Sequence, residues 1–487
     1  MIKTKLLVTV GPACNDQATL AAMIDAGVDV FRLNFSHGTL DSHQKALKII
    51  RRIARDRGTV VAVMGDLCGP KIRIGKIAGG QCELVAGQQV VFQRADILGS
   101  SERLSSNYES LVDDVKIGHR LLIDDGKVLL RAIEKRSDEL VCWCEIGGPV
   151  SDRKGINLPD SSVSAPALNP KDLADLEWAI KNNLDYIALS FVRRPEDIKE
   201  LRNILEEHNS KIRIVAKIEK PEAIVRLEEI ISQSDVVLVA RGDLGVEMDV
   251  SRVPIVQKEI ALQCQRAGKP VIIATQILQS MVNSPVPTRA EVSDVANAIL
   301  DRADGIMLSA ETSIGKYPLE AVRVINKIAM ETETFGERYS DELGTDRIPR
   351  LRIATAVVHG VSLVAGDLGV RLVAVWTDSG DPERLLSKHR MEQPIVALTA
   401  DEIVCRQMAL LYGVIPIRME PANELNQMLG DLDKVLIDNQ LADVDDQIVL
   451  VADSRPDLPG ETDAMFIHQV GSSKDAVRLA SDTDPAP

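Results

Sequence analysis

The chain has 487 residues, a net charge of -15, 45% hydrophobic and 26% charged residues, and only 3% aromatics. Such a composition describes a soluble globular protein of two or three domains with aliphatic cores. The charge argues against a general nucleic-acid or membrane role, and no apolar run is long enough to cross a bilayer. If an acidic protein handles phosphates, it must attract them with a local cluster of cations or with a metal. The opening MIKTKLLVTV is basic and then apolar, but GPACND cuts it short, so a buried first strand is expected rather than a leader. The seven cysteines are scattered, which suits a reduced, cytoplasmic protein. Cys142 and Cys144 should share one face of a strand, with Trp143 opposite.

Near-continuous apolar runs recur at 6–10, 28–33, 60–64, 184–189, 211–218, 235–240, 270–274 and 304–308, separated by segments of helical period. Runs of this kind suit a parallel sheet covered on both faces, and eight of them predict a (β/α)8 TIM barrel over 1–69 and 166–336. Between the third and fourth runs, residues 70–165 change texture. Turn signals separate short alternating strands such as VVF, RLLI, KVLLRAI and LVCWCEI, so a small inserted β-barrel domain is expected there. Its place at the end of a barrel strand makes it a natural lid over the active site. From 337 to 487 a helix candidate (352–366) precedes the strand-like VRLVAVW, PIVALTA, GVIPIRM and QIVLVA, which predicts a doubly wound α/β domain with a frayed polar tail.

At the ends of the barrel runs the sequence turns polar. Arg32, Asn34, Ser36 and His37 follow run two, Asp66 run three and Ser190 run four. Lys217 and Glu219 end run five, Arg241 and Asp243 run six, Thr275 and Gln276 run seven, Ser309 and Glu311 run eight. In a barrel these ends converge on the mouth where chemistry is placed. Lys217 and Glu219 are two apart and face the same way. They form either a structural ion pair or a fixed cation beside a metal-holding carboxylate. With Asp243 from the neighbouring strand, Glu219 could supply two oxygen ligands to an octahedral Mg2+. The glycines in ARGDLGVEM would let backbone N–H groups approach an anion, although the same pattern also suits a simple turn. Arg32 and Arg73 are further cations near the mouth.

FRLNFSHG (31–38), GDLCGPKIRIG (65–75), DDG (124–126), KGINLP (154–159), VAKIEKPEA (215–223), VARGDLGVE (239–247), ATQILQSM (274–281) and the long block at 287–322 together resemble pyruvate kinase. The resemblance implies phosphoryl transfer from phosphoenolpyruvate to ADP, giving pyruvate and ATP, with Mg2+ (or Mn2+), by a cytoplasmic homotetramer. By position it implies that Glu219 and Asp243 bind the metal. Lys217, Arg32, Arg73 and Thr275 would be catalytic. Gly242 and Asp243, with Thr275, Lys217 and Arg32, would hold the substrate. Pro12, Asn34, His37, Arg73 and Lys154 would lie on the nucleotide side. A barrel aldolase or lyase with a similar metal site would lack the inserted lid and FRLNFSHG.

Three departures carry further expectations. Many members hold K+ at the positions of Asn34, Ser36, Asp66 and the Leu67 backbone, and there read Asp-Thr-Lys-Gly-Pro-Glu. This chain ends that stretch in Lys71, whose ammonium could replace the ion, as in the K+-independent branch, so K+ is not expected to be required. Ser42 stands where many relatives carry a tyrosine near the base, so base selection is expected to be loose. The loop at 377–383 keeps the hydroxyls of Thr377 and Ser379 from the family's effector site. Asp381, Glu383 and Glu461 would oppose a bisphosphate there, so the expected effector is a sugar monophosphate, a nucleotide or none.

Overall fold

The computed structural model describes residues 2–339, 353–422, 424–452 and 464–472. Glu461 and the expected frayed tail at 473–487 lie outside them. All eight apolar runs are strands: Lys5–Thr9, Val30–Asn34, Ala62–Asp66, Tyr186–Leu189, Arg213–Ile218, Val236–Ala240, Val271–Ala274 and Gly305–Leu308. Each pairs in parallel with the next, and the last pairs with the first to close the barrel.

Side-chain alternation sorts these runs into two cores. Leu6, Val8, Phe31, Leu33, Ile214 and Ala216 point outward onto the helices. Leu7, Val30, Met64, Ala188, Val215, Leu238 and Ala274 fill the barrel interior. Because the period along a strand is two, the interior row continues toward the mouth through Arg32, Asp66, Ser190, Lys217 and Glu219. A one-residue slip in register would turn this whole set onto the helices.

The segment between strands three and four carries a six-stranded sheet and a two-stranded ladder around a separate apolar core. Isolated bridges from Arg73, Ile74 and Ile77 tie the entering chain to both edges, giving a partial barrel. Cys142 and Cys144 are buried in it and Trp143 is exposed, as their spacing requires.

The C-terminal unit is a five-stranded sheet with helices on both faces. Four strands are parallel, and Ala464–Gln469 adds an antiparallel edge that the sequence pattern had not suggested. This unit closes the bottom of the barrel. Ala409 and Leu410 join the interior apolar cluster. The fully buried Asp185 accepts from Arg406 at 2.7 Å and from Arg51 at 2.6 Å. Asp304 likewise receives Lys388 at 2.5 Å and Arg390 at 3.1 Å. The other end of the barrel, its mouth, lies on the side of the inserted domain.

Removing a buried carboxylate strands the cations it faces. Asp185→Ala, which takes the buried carboxylate from Arg51 and leaves Arg406 to its pair with Glu402, should lower stability by roughly 3–5 kcal/mol in urea unfolding. A loss below about 1 kcal/mol, the value of a surface pair, would show that the junction does not depend on it.

Candidate active site

The interior row ends in a buried cluster of charge. Asp66 accepts from Arg32 Nε at 2.6 Å through one oxygen and faces Lys217 Nζ at 3.3 Å through the other. Lys217 Nζ also lies 2.9 Å from Glu219 Oε1 and donates to Ser190 Oγ at 2.7 Å. Arg32 reaches back to Thr9 Oγ1 at 3.0 Å. Burial would lower the pKa of Lys217, but Asp66 and Glu219 outweigh it and raise it, so the amine stays an ammonium. Burial opposes ionisation of Asp66, yet Lys217 and then Arg32 hold its pKa below the ordinary value. Glu219 goes the other way: burial, with Asp243 adding like charge, raises its pKa against the pull of Lys217. Of the two alternatives in the sequence, the structure shows the ion pair, buried at the end of the interior row.

Glu219 Oε2 accepts the Phe191 N–H at 2.7 Å, and Phe191 itself has a left-handed backbone with φ 55°. Thr275 and Gln276 also lie in the left-handed region, at φ 64° and 54°, which is rare for a β-branched residue and typical of functional sites. Arg241 holds this turn. It donates to the carbonyls of Thr275 at 3.1 Å and Gln276 at 3.2 Å while paired with Asp294 at 2.7 Å. The Gly242 N–H bonds to Thr275 Oγ1 at 2.6 Å, and a Cβ at Gly242 would sit 3.2 Å from that oxygen. The clamping role of Arg241 was not legible in the sequence, although its place at a strand end was.

Asp243 opens onto a cavity of about 780 Å³ shared with Lys71, Asp125, Arg241 and Gly242. Lys71 and Asp125 come from the lid side, so the cavity is a cleft between two parts of the fold. Arg73 and Lys154 lie on the lid, bonded to the Arg153 carbonyl at 3.0 Å and to Asp124 at 2.8 Å. Asn34 Oδ1 accepts the Ser36 N–H at 3.0 Å, and His37, exposed, offers its carbonyl to His43 Nε2 at 3.0 Å. Pro12 is exposed just beyond the first strand. The strand-end acid Glu311 is structural instead: it accepts the N–H groups of Leu278 at 3.0 Å and Ser309 at 2.8 Å.

This geometry can hold anions against Arg32 and Lys217 beside oxygen ligands for a hard cation. Residues 1–322 match the family model described as pyruvate kinase, barrel domain, and residues 355–468 match pyruvate kinase, alpha/beta domain. The chain belongs to the pyruvate kinase family. Curated pyruvate kinases of Corynebacterium glutamicum and Mycobacterium intracellulare are 38% and 40% identical, covering 98% and 96% of this chain and 99% and 98% of theirs. A solved pyruvate kinase from Cryptosporidium parvum superposes with a TM-score of 0.89 at 35% identity, covering 96% of each chain.

The loop expected to resemble the family's effector site corrects one expectation. Thr377 Oγ1 accepts the N–H of Gly380 at 2.9 Å and of Ser379 at 3.3 Å, and Arg213 donates to the Ser379 carbonyl at 2.5 Å. Asp381 is paired with Arg384 at 2.9 Å. Glu383, expected to present charge to a ligand, is fully buried, and neither carboxylate oxygen has a hydrogen-bond partner among the described residues. Burial pushes its carboxyl from 4.5 up to about 7. The folded protein therefore holds this proton where the unfolded chain does not, so stability present at low pH is lost as pH rises from about 4.5 to about 7. Glu383→Gln removes that dependence. Its stability relative to the parent in urea unfolding should improve between pH 5 and pH 8, by up to about 3 kcal/mol. An equal difference at both pH values would contradict a buried, proton-binding Glu383.

Proposed function

We propose that the chain transfers the phosphoryl group of phosphoenolpyruvate to ADP, giving pyruvate and ATP in the last step of glycolysis. The observation that carries this reading is the buried inward row of Arg32, Asp66, Lys217 and Glu219 at the strand ends, with Asp243 of the next strand end lining a cleft. Two cations and two carboxylates in that row sum to zero, so they do not by themselves attract a multiply charged phosphate. Asp243 at the cleft and the buried Glu219 beside it are hard oxygen donors, and the like charge between them is what a divalent cation would relieve. They would hold Mg2+ (or Mn2+), which supplies positive charge to the phosphoryl and enolate oxygens.

The remaining steps fall to the chain's own groups. Lys217 and Arg32 face the equatorial oxygens of the transferring group, where positioning and charge matter more than covalent catalysis. Arg73, with Asn34, His37, Lys154 and Pro12, forms the nucleotide side. The amides of Gly242 and Asp243, with Thr275, hold the substrate carboxylate. An oxygen of the ADP β-phosphate attacks phosphorus, the bond to the enol oxygen breaks, and the enolate takes a proton at carbon. The Thr275 hydroxyl stands on that delivery route.

Residues 1–69 and 166–336 serve as the catalytic barrel, 70–165 as the lid and 337–487 as the regulatory unit of a cytoplasmic homotetramer. K+ is dispensable in this reading. Lys71 faces the cleft beside Asp125 and Asp243, and the Leu67 carbonyl already accepts Ser190 Oγ at 2.7 Å. Loose base selection is supported by Ser42, whose hydroxyl is spent capping its helix through Thr39 at 2.6 Å. At the regulatory loop, where Asp381 is paired with Arg384, the effector in this reading is a sugar monophosphate, a nucleotide or none.

A coupled assay of pyruvate formation from phosphoenolpyruvate, ADP and Mg2+ tests this directly. Turnover is expected to be nearly the same in K+, Na+ and a large organic cation, and Lys71→Glu should make it K+-dependent. No pyruvate would overturn the activity; a many-fold K+ requirement in the unaltered protein would overturn the role of Lys71.

A further inference from the structure

The inserted domain is anchored at both of its connections. On the entering limb, Asp172 Oδ1 accepts the N–H groups of Cys68 at 2.8 Å and Gly69 at 3.3 Å. On the returning limb, Arg193 donates to the carbonyls of Val163 and, at 2.6 Å, Ala165. Between those carbonyls the Ser164 N–H still bonds to Tyr108 and Asp114 of the lid, at 3.0 and 2.7 Å. The change from barrel to lid thus falls within a residue of Ser164, and a lid rotation would pivot near Gly69 and Ser164.

One bond bridges the cleft away from that pivot. Asn157 Nδ2 donates to Glu247 Oε1 at 2.6 Å, and Lys220 Nζ pairs with the same oxygen. Glu247 and Lys220 are buried, at 3% and 8% exposure, so the acceptor is rigid and poorly solvated. Glu247 Oε2 has no hydrogen-bond partner among the described residues. On the lid side, Asn157 belongs to the short strand Ile156–Asn157, paired with Leu122 and Ile123 just before Asp124 and Asp125. Lys154, three residues earlier, bonds to Asp124. On the barrel side, Lys220 directly follows Glu219, and Glu247 closes the helix Arg241–Glu247 that carries Gly242 and Asp243. Asn157, Lys220, Lys71, Asp125 and Asp243 line one recess.

We propose that Asn157 is a positioning residue for phosphoryl transfer, its bond to the Lys220–Glu247 pair latching the nucleotide-side lid in register with the metal-side barrel. The inference rests on the activity proposed above. It requires no contact between Asn157 and substrate. A bond to a charged, buried acceptor is worth enough to shift lid closure by roughly tenfold. Lys154 and Asp125, carried on the same strand pair, move with it.

The test uses the full-length protein with Asn157→Ala, Asn157→Asp, which sets a carboxylate against Glu247, and Asn157→Gln, which restores an amide. Steady-state kinetics and small-angle X-ray scattering are measured on each, with thermal melts to confirm folding. Asn157→Ala should raise KM for ADP about tenfold and lower kcat, with KM for phosphoenolpyruvate within about twofold. Its scattering should report a more open lid. Asn157→Asp should go further and Asn157→Gln recover part of the loss. Unchanged kinetics and scattering in Asn157→Ala and Asn157→Asp, or a lower melting temperature alone, would overturn the latch. An unaltered protein without turnover would overturn the activity instead, and scattering would still decide whether Asn157 holds the lid.

Discussion

Asp66 is the constraint on which the mouth of the barrel depends. It is 1% exposed and divides its two oxygens between Arg32 and Lys217. Burying a carboxylate is costly unless it is paired, and burying Lys217 is costly for the same reason. Each group removes the other's penalty, so the cluster holds its charges in a low-dielectric setting without first releasing water. Such preorganised charge is what phosphoryl transfer requires. Asp243 adds like charge beside Glu219, against the pull of the Lys217 ammonium that is paired with it.

Everything around this cluster serves its placement. The C-terminal unit plugs the bottom of the barrel with Ala409 and Leu410 and pins it through Asp185 and Asp304. The lid stands over the open end, fixed at two connections and tied across the cleft by Asn157. Arg213, on the strand that carries Lys217 and leads into Glu219, also bonds to the loop at Ser379. This strand therefore touches the C-terminal unit at one end and the buried charge cluster at the other.

Much of this was legible in the residues. Aliphatic runs marked the barrel strands to within about two residues, because burial on both faces leaves few other compositions possible. The period of two set Lys217 and Glu219 on one face, and the structure adds Arg32, Asp66 and Ser190 from the other strand ends to that inward row. What could not be read depends on distances between segments far apart in the chain. Nothing local to Arg241 shows that it clamps a left-handed turn at Thr275 and Gln276. Nothing local to Asn157 shows its acceptor ninety residues away. The edge strand Ala464–Gln469 alternates weakly and is named by its partner, not by its composition. Glu311 and Glu383 show the converse error: a carboxylate at a suggestive position proved to cap backbone amides in one case and to be buried in the other.

The central claim is that the ammonium of Lys217 acts on the transferring group, while the metal is held by its neighbours. Lys217→Met tests it most directly, with turnover, Mn2+ affinity by titration and melting temperature measured on one preparation. The account predicts a fall of about a thousandfold or more in kcat/KM, with Mn2+ binding and a cooperative melt retained. Turnover within about tenfold of the unaltered protein would contradict it.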